Sequence, residues 1–301
     1  MKIHIIPILL QIYAFGKISI MDGNFEIAWF GPHNGEEPAI SGPSRPKGGR
    51  GGSGTVFFCR CNLKCVYCQN WQISQNNIAC QKVSPEDLFT IFFKLQEGNC
   101  HNINLVSPVI WSSQLRKIIK KAKKEGLKIP VVWNTNAYET VKSLQELNGI
   151  VDIYLPDFKY ADEKLAIKYS NAPGYPELAK EGILEMQRQV GDLIVDEKGI
   201  ARKGLVVRHL VLPGLLENTK ECLKFIRSIS DNIHLSLMSQ YNPTYKTADF
   251  PEINRTLTKE EYDEVLGVVR DLGFKNGWIQ EFDQSVKCLN PDFIKQNPFS
   301  N

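Results

Sequence analysis

From Gly54 onward, short β-branched or aromatic runs alternate with amphipathic helical segments, and this alternation limits the architectures open to the chain. The strand candidates are residues 55–59, 102–106, 130–133, 151–155, 205–212, 234–237 and 278–282. The intervening helices carry their own start signals. Ser84-Pro85-Glu86-Asp87 joins an N-cap to a proline at the first helical position and two early acids, and Leu88, Ile91, Phe92 and Leu95 make one apolar face. Thr258 and Glu261 fit a capping box, and Asn218 is placed to cap a helix whose inner face is Cys222, Phe225, Ile226 and Ile229. Strands joined through helices run parallel with right-handed crossovers. The expected fold is therefore α/β: a partial (β/α) TIM-like barrel of parallel strands with an irregular N-terminal leader. The expected divisions are the leader over 1–53, which ends in a Gly/Pro/Ser/Arg-rich stretch, a barrel domain over 54–285 and a C-terminal tail over 286–301.

At 301 residues, 43% of them hydrophobic, the chain can bury a large core without disulfide staples. The formal charge of +3 gives no footprint for nucleic acid. The densest basic run, Arg116, Lys117, Lys120, Lys121, Lys123 and Lys124, falls in a helical pattern and reads as a solvated face. An apolar run from Ile3 to Leu10 follows Lys2, but His4, Pro7 and Gln11 interrupt it and no small-residue cleavage site comes after. The expectation is a cytoplasmic protein with neither a membrane nor a nucleic-acid partner.

The cysteines carry the chemistry. Of eight, Cys59, Cys61, Cys65 and Cys68 crowd into ten residues, while Cys80, Cys100, Cys222 and Cys288 are scattered. Such clustering in a chain of this size favours metal and a reducing compartment over a secreted scaffold. Residues 61–68 have the form C-x3-C-x2-C on a loop directly after a strand. A cubane cluster normally takes four thiolates, so three leave one iron open for substrate chemistry. Two other readings stand beside this one. Cys65 and Cys68 could be half of a zinc site, although no second C-x2-C or close His pair follows. Cys59 could be a fourth ligand, closing a cluster that only passes electrons; but it ends an apolar strand, where a free cysteine often simply packs.

Polar residues collect just after the strands: Ser107 and Pro108, Asn134 and Asn136, Asp157 and Lys159, Gln240 and Asn242, Glu281 and Asp283. In α/β barrels the C-terminal strand ends form the catalytic face. Period-two alternation puts Asp157 and Lys159 on one side, and likewise Asn134 and Asn136. The competing account is a salt bridge and a pair of amides that tie off the rim.

The C-x3-C-x2-C loop, with Tyr67 before its last cysteine, resembles the radical S-adenosylmethionine (SAM) superfamily signature. The wider context resembles the pyruvate formate-lyase activating enzyme-like branch: Gly54-Thr55-Val56-Phe57-Phe58 before the loop, Gln69-Asn70 after it, and the strings PHNGEEP (32–38), DIYLPDFK (152–159), VRHLVLPG (207–214) and LMSQYNP (237–243). The likeness spans roughly residues 32–283. It implies a 4Fe–4S cluster on Cys61, Cys65 and Cys68, with SAM chelated at the open iron. It implies SAM contacts from the backbone at Tyr67, from Asn134 and Asn136, and from Asp157 and Lys159. Arg208 or His209 would line the same pocket; alternation turns them to opposite sides, so one of the two is expected there. The implied activity is reductive cleavage of SAM to a 5′-deoxyadenosyl radical that takes hydrogen from a protein or other large substrate. A one-electron donor such as flavodoxin or ferredoxin would supply the electron. His33, Glu36 and Glu37 would serve as a lid or substrate contact, or else form a solvated polar turn. The chain departs from the branch at Arg60, where Gly is usual, at Cys59, where a small polar residue is usual, and in an insertion around residues 43–51. The extra cysteines often found at the start of these relatives are missing, and so is the Gly-Gly-Glu element that activating enzymes carry after the second strand.

Overall fold

A computed structural model describes residues 24–42, 51–282 and 290–300. The possible targeting run, most of the insertion, Asp283 and Cys288 lie outside these. In chain order the elements are β1 (Phe25–His33), α1 (Pro38–Ser41), β2 (Ser53–Phe58), α2 (Trp71–Ser74), β3 (Gln81–Val83), α3 (Pro85–Glu97), β4 (Ile103–Val106), α4 (Ser112–Lys124) and β5 (Val131–Thr135). There follow α5 (Val141–Gln145), β6 (Ile153–Pro156), α6 (Glu163–Ser170), α7 (Tyr175–Val190), β7 (Ile194–Val195) and β8 (Ala201–Leu210). The last are α8 (Leu216–Ile229), β9 (His234–Met238), α9 (Lys259–Asp271) and β10 (Asn276–Ile279).

The sheet runs β10-β9-β8-β6-β5-β4-β2-β1-β3, with β7 set against β8. The strands from β2 through β10 along this path pair in parallel, as strand–helix alternation requires, while β1 runs antiparallel to both β2 and β3. The sheet is not closed, so the barrel is partial. Ser84 and Thr258 cap their helices as expected, the second in a full capping box. Asn218 does not cap α8, which starts after Leu215. It sits in the first helical turn, where its amide accepts from Ala161 N (2.9 Å) and donates to Lys159 O (3.0 Å). The basic run does form the polar side of α4, where Arg116 pairs with Glu146 and Lys123 with Asp152. Among the described residues no helix is long and apolar enough to cross a membrane.

The leader needs correction. Residues 25–33 form a strand that covers the outer edge of β2, which removes a row of unpaired backbone groups. A register shift between Ile27 and Trp29 breaks the period-two pattern there, and so hides the strand from a reading by alternation. The chain then turns into the barrel. Ala39 and Ile40 of α1 pack with Val132, Ile153, Leu155 and Val206, which point into the lumen. Burying a side chain such as Ile40 contributes about 1.5–3 kcal/mol. Asn102 fixes the plug in place, donating to Ile40 O (2.8 Å) while accepting from Ser53 Oγ (2.8 Å). The alternate residues of the same strands, including Trp133, Tyr154 and Leu205, join Leu105 of β4 in the main core against the helices.

Candidate functional site

The cysteine loop leaves β2 through Arg60, whose φ of 66° lies in the left-handed region. This explains why Gly is usual at the position: a side chain there costs roughly 1–2 kcal/mol of backbone strain. A bidentate pair with Glu26 (both contacts 2.7 Å) holds the Arg60 side chain at the surface. Arg60→Gly and Arg60→Ala both lose that pair, but only Gly relieves the backbone. The glycine variant should be the more stable of the two by about 1 kcal/mol in urea unfolding; equal midpoints would show that the turn is not strained.

Beyond Arg60 the loop is tied down on several sides. Lys64 N and Val66 N donate to Ser170 O (2.9 Å) and Tyr169 O (2.8 Å) at the end of α6, and Lys246 N donates to Val66 O (3.0 Å). Leu63 is a core residue, and Asn62 Nδ2 donates to Tyr138 O (2.8 Å). Cys61, Cys65 and Cys68 are free thiols. Each sulfur has its own polar partner: Asn136 Nδ2 at 3.2 Å from Cys61, Ser170 Oγ at 3.0 Å from Cys65, and Ser74 Oγ at 3.2 Å from Cys68. Burial pushes all three thiols up, Cys68 to about 12, and close neighbouring sulfurs oppose ionisation further at Cys65 and Cys68. Metal coordination is what offsets such a penalty. Among the described residues no three such ligands converge on a single ion. A cubane asks for something different, one thiolate per iron, and the loop offers three enclosed sulfurs that are already hydrogen-bonded.

Cys59 is not simply packed. Its sulfur is bonded to Cys80, with Cα atoms 6.0 Å apart, against the expectation of a chain without disulfides. It lies in a small apolar cluster with Phe57, Ile73, Val106 and Phe293. The spacing of Cys80 carried no sign of this pairing, because a short strand, β3, brings it back. Cys222 is a buried core residue, as its helical face implied.

The strand-end residues do come together. Arg208 Nε donates to Asp157 Oδ1 (2.7 Å), Nη1 meets Glu36 Oε2 (3.2 Å) and Nη2 bonds Asn134 Oδ1. Lys159 Nζ donates to Asp157 Oδ2 (2.8 Å). Burial opposes ionisation of Asp157, but Arg208 and Lys159 outweigh it and hold the carboxyl below its ordinary value. The same pairing keeps Lys159 protonated despite its burial. Asn136 turns toward the cysteine loop, donating to Cys61 and to Asn62 Oδ1 (2.8 Å). The Tyr67 hydroxyl, 2.7 Å from that of Tyr160, starts a chain that runs through Ser170 to Cys65.

His209 is the exception among the expected pocket residues. It faces the helix side of the sheet, with Nδ1 2.7 Å from Phe158 O and Nε2 3.0 Å from Thr219 Oγ1. Burial lowers it to about 4, so it is a neutral structural imidazole; alternation left Arg208 as the pocket residue of the two. His33 is also a packing residue: it lies against Phe299 (4.1 Å between ring centres), and burial lowers it to about 4. Glu36 and Glu37 are enclosed, not a solvated turn. Reading the sequence missed Ser74 and Ser170, which no local pattern marks, and Asn104, a second asparagine on the lumen side of an otherwise apolar strand.

Residues 55–226, more than half of the chain, match the Radical SAM superfamily. The chain belongs to that superfamily. Its members use SAM and a 4Fe–4S cluster. Two uncharacterised proteins of Methanocaldococcus jannaschii are similar to it. One is 36% identical over 71% of this chain and 61% of its own length, and the other is 25% identical over 67% and 58%. The chain thus spans about three-fifths of the length of these relatives. The fold is similar to that of Streptococcus suis SuiB bound to S-adenosylmethionine, with a TM-score of 0.50 and 12% identity over 74% of this chain and 48% of that one. The superfamily assignment accounts for an α/β barrel left open and for a cysteine loop at its mouth.

Proposed function

We propose that the protein is a radical SAM oxidoreductase of the pyruvate formate-lyase activating enzyme-like kind, which takes hydrogen from a protein or other large substrate. The observation that carries this reading is the loop of three free, enclosed thiols beside the Asp157–Lys159–Arg208–Asn134 constellation. Cys61, Cys65 and Cys68 would hold the cluster. Asp157, Lys159, Asn134, Arg208 and the backbone at Tyr67 would hold SAM. When bound, the cluster supplies the electron that divides SAM into methionine and a 5′-deoxyadenosyl radical. The protein's own part is orientation and exclusion. Lys159, kept charged by Asp157, can meet a carboxylate, and Asp157 can meet an ammonium, which fixes an amino-acid head group before the electron arrives. Asn136, Ser170 and Ser74, the polar partners of the three sulfurs, would tune the potential of a cluster bound there. Ala39 and Ile40 of α1, packed against Val132, Ile153, Leu155 and Val206, would help to keep water out of the lumen. The branch reading rests on the strings around residues 32–38, 152–159, 207–214 and 237–243. An external donor such as flavodoxin or ferredoxin would deliver the electron.

The test is turnover. Reconstituted anaerobically, reduced with dithionite and given SAM, the protein should release 5′-deoxyadenosine and methionine slowly without any substrate. Cys65→Ala is the control. No product above that control would leave a closed cluster that only transfers electrons as the better account.

A further inference from the structure

Three buried hydroxyls stand in line behind the Cys65 sulfur. The Tyr67 hydroxyl is 2.7 Å from that of Tyr160, which is 2.8 Å from Ser170 Oγ, and Ser170 Oγ is 3.0 Å from Cys65 Sγ. Tyr160 and Ser170 are fully enclosed, and Tyr67 is 7% exposed. The residues come from three places: Tyr67 from the cysteine loop, Tyr160 from the segment directly beyond Lys159, and Ser170 from the end of α6. Other contacts fix these places relative to one another. Lys64 N and Val66 N bind the loop to Ser170 O and Tyr169 O. On either side of Tyr160, Lys159 N donates to Tyr175 Oη (2.9 Å) and Ala161 N to Asn218 Oδ1 (2.9 Å). Phenylalanine would fill the same space at either tyrosine, and a buried hydroxyl is a cost unless it is bonded. The two phenolic oxygens thus answer to each other and to Ser170, not to packing.

The direction of the line follows from counting protons. A sulfur that holds iron is a thiolate, which accepts hydrogen bonds and has none to give. The Ser170 hydroxyl therefore donates to Cys65. It carries one proton, so it must accept from Tyr160; Tyr160, whose single proton then lies toward Ser170, must accept from Tyr67. All three O–H dipoles end up aimed at the sulfur. In a dry surrounding each bond of such a chain strengthens the next, by about 10–30%. Cys61 and Cys68 receive their donors from Asn136 and Ser74, and neither of these leads to a buried phenol.

We propose that Tyr160 and Tyr67 are positioning residues for the reduction step: acting through Ser170, they hold its proton on Cys65 and raise the reduction potential of a cluster bound there. This rests on the radical SAM reading, which puts the cluster on Cys61, Cys65 and Cys68. Reduction adds one electron, delivered by an external donor, and each proton stays on its own oxygen. The added negative charge is shared with the ligating sulfurs, so a donor aimed at a sulfur favours the reduced form over the oxidised one. With Tyr160 in place the Ser170 oxygen is engaged as an acceptor, and its proton is left one direction, toward Cys65. Without the phenol the serine is free to turn, and the sulfur loses part of its donor.

The readout is the midpoint potential of the reconstituted protein, titrated with dithionite and followed by electron paramagnetic resonance, without SAM or turnover. Ser170→Ala removes the donor itself and should lower the equilibrium constant for reduction about tenfold, or about 59 mV for one electron. Tyr160→Phe leaves Ser170 and Cys65 in place and should lower it about threefold. Tyr67→Phe should shift it in the same direction by less. The double variant Tyr160→Phe with Ser170→Ala shows whether the tyrosine acts through the serine. It should match Ser170→Ala alone, whereas two independent packing defects would add. A midpoint in Tyr160→Phe that stays at the wild-type value or rises, or a double variant in which the shifts add, overturns the proposal. Should Ser170→Ala hold no iron, the tyrosine variants decide alone. Each loses one oxygen and keeps its ring, and a fall in both, larger in Tyr160→Phe, is required. A wild-type protein that takes up no cluster counts against the three-thiolate reading instead. A cluster that forms but cleaves no SAM counts against the radical SAM reading and leaves these potentials measurable.

Discussion

Cys65→Ala should emerge from anaerobic reconstitution with no iron above background, whereas Cys59→Ala should keep about four irons per chain. Cys61→Ala and Cys68→Ala should behave like Cys65→Ala. The three thiols share one loop held to α6 and to Lys246, so each has a fixed place and none can be replaced by a sulfur from elsewhere. Cys59 lies only two residues before Cys61, but its sulfur is spent on Cys80 within a separate apolar cluster. Losing that bridge, which spans 21 residues, costs about 3 kcal/mol in the chain-entropy account. Iron in Cys59→Ala should therefore be measured below its own melting transition. A folded Cys59→Ala that holds no iron would sink the three-thiolate assignment and favour the closed cluster.

The contrast between Cys59 and its neighbours shows what sequence spacing can and cannot carry. Cys61, Cys65 and Cys68 are local to one loop, so their spacing alone brings the ligand set into view. The partner of Cys59 arrives through a three-residue strand that no periodicity can announce, and the disulfide stays hidden with it. The barrel was legible for a related reason: parallel strands covered on both faces read as apolar runs, and capped helices punctuate them. β1 was not legible, because a bulge disturbs its alternation and its pairing is settled only against β2 and β3. Alternation did separate Arg208 from His209, and it put Asp157 beside Lys159. It could not tell a rim ion pair from a SAM contact, since both need the same face. The presence of Glu36 and Glu37 inside the barrel follows from the path of the chain through α1, which depends on Ile40 fitting the lumen.

Arg208→Met should lower stability by about 3–5 kcal/mol at neutral pH, the usual consequence of removing one partner from a buried ion network. Methionine keeps much of the apolar stem but none of the donors. Asp157 would retain Lys159 alone, while Glu36 and the Asn134 oxygen would lose the contacts they make with the guanidinium. For a chain of this length the change should appear as a fall of roughly 10 °C in the thermal midpoint. The pH dependence distinguishes this cause from a general packing defect. Asp157 is depressed in the folded protein, so its contribution is present above its unfolded value and is lost as the pH falls. Without Arg208 that depression shrinks, and the variant has less to lose in acid. Glu36 and Glu37 are raised by burial, so the protonated forms suit the fold, and their cost grows as the pH rises above the ordinary carboxylate range. Removing Arg208 takes away the charge that opposed this shift at both residues. Both effects have the same sign but act in different ranges: the deficit should be largest at pH 7, narrow as the pH is lowered toward 5 through Glu36 and Glu37, and narrow again only below 3.8 through Asp157. Arg208→Lys, which restores the charge but not the fork of donors, should recover part of the loss. Iron content should stay intact in both variants, because Arg208 bonds to Asp157, Glu36 and Asn134 and to none of the three loop cysteines, while SAM should bind more weakly. A deficit below about 1 kcal/mol, or one that does not change with pH, would mean that water already solvates Asp157 and Glu36, and the lumen could not then be the dry, pre-arranged chamber that the proposed radical chemistry requires.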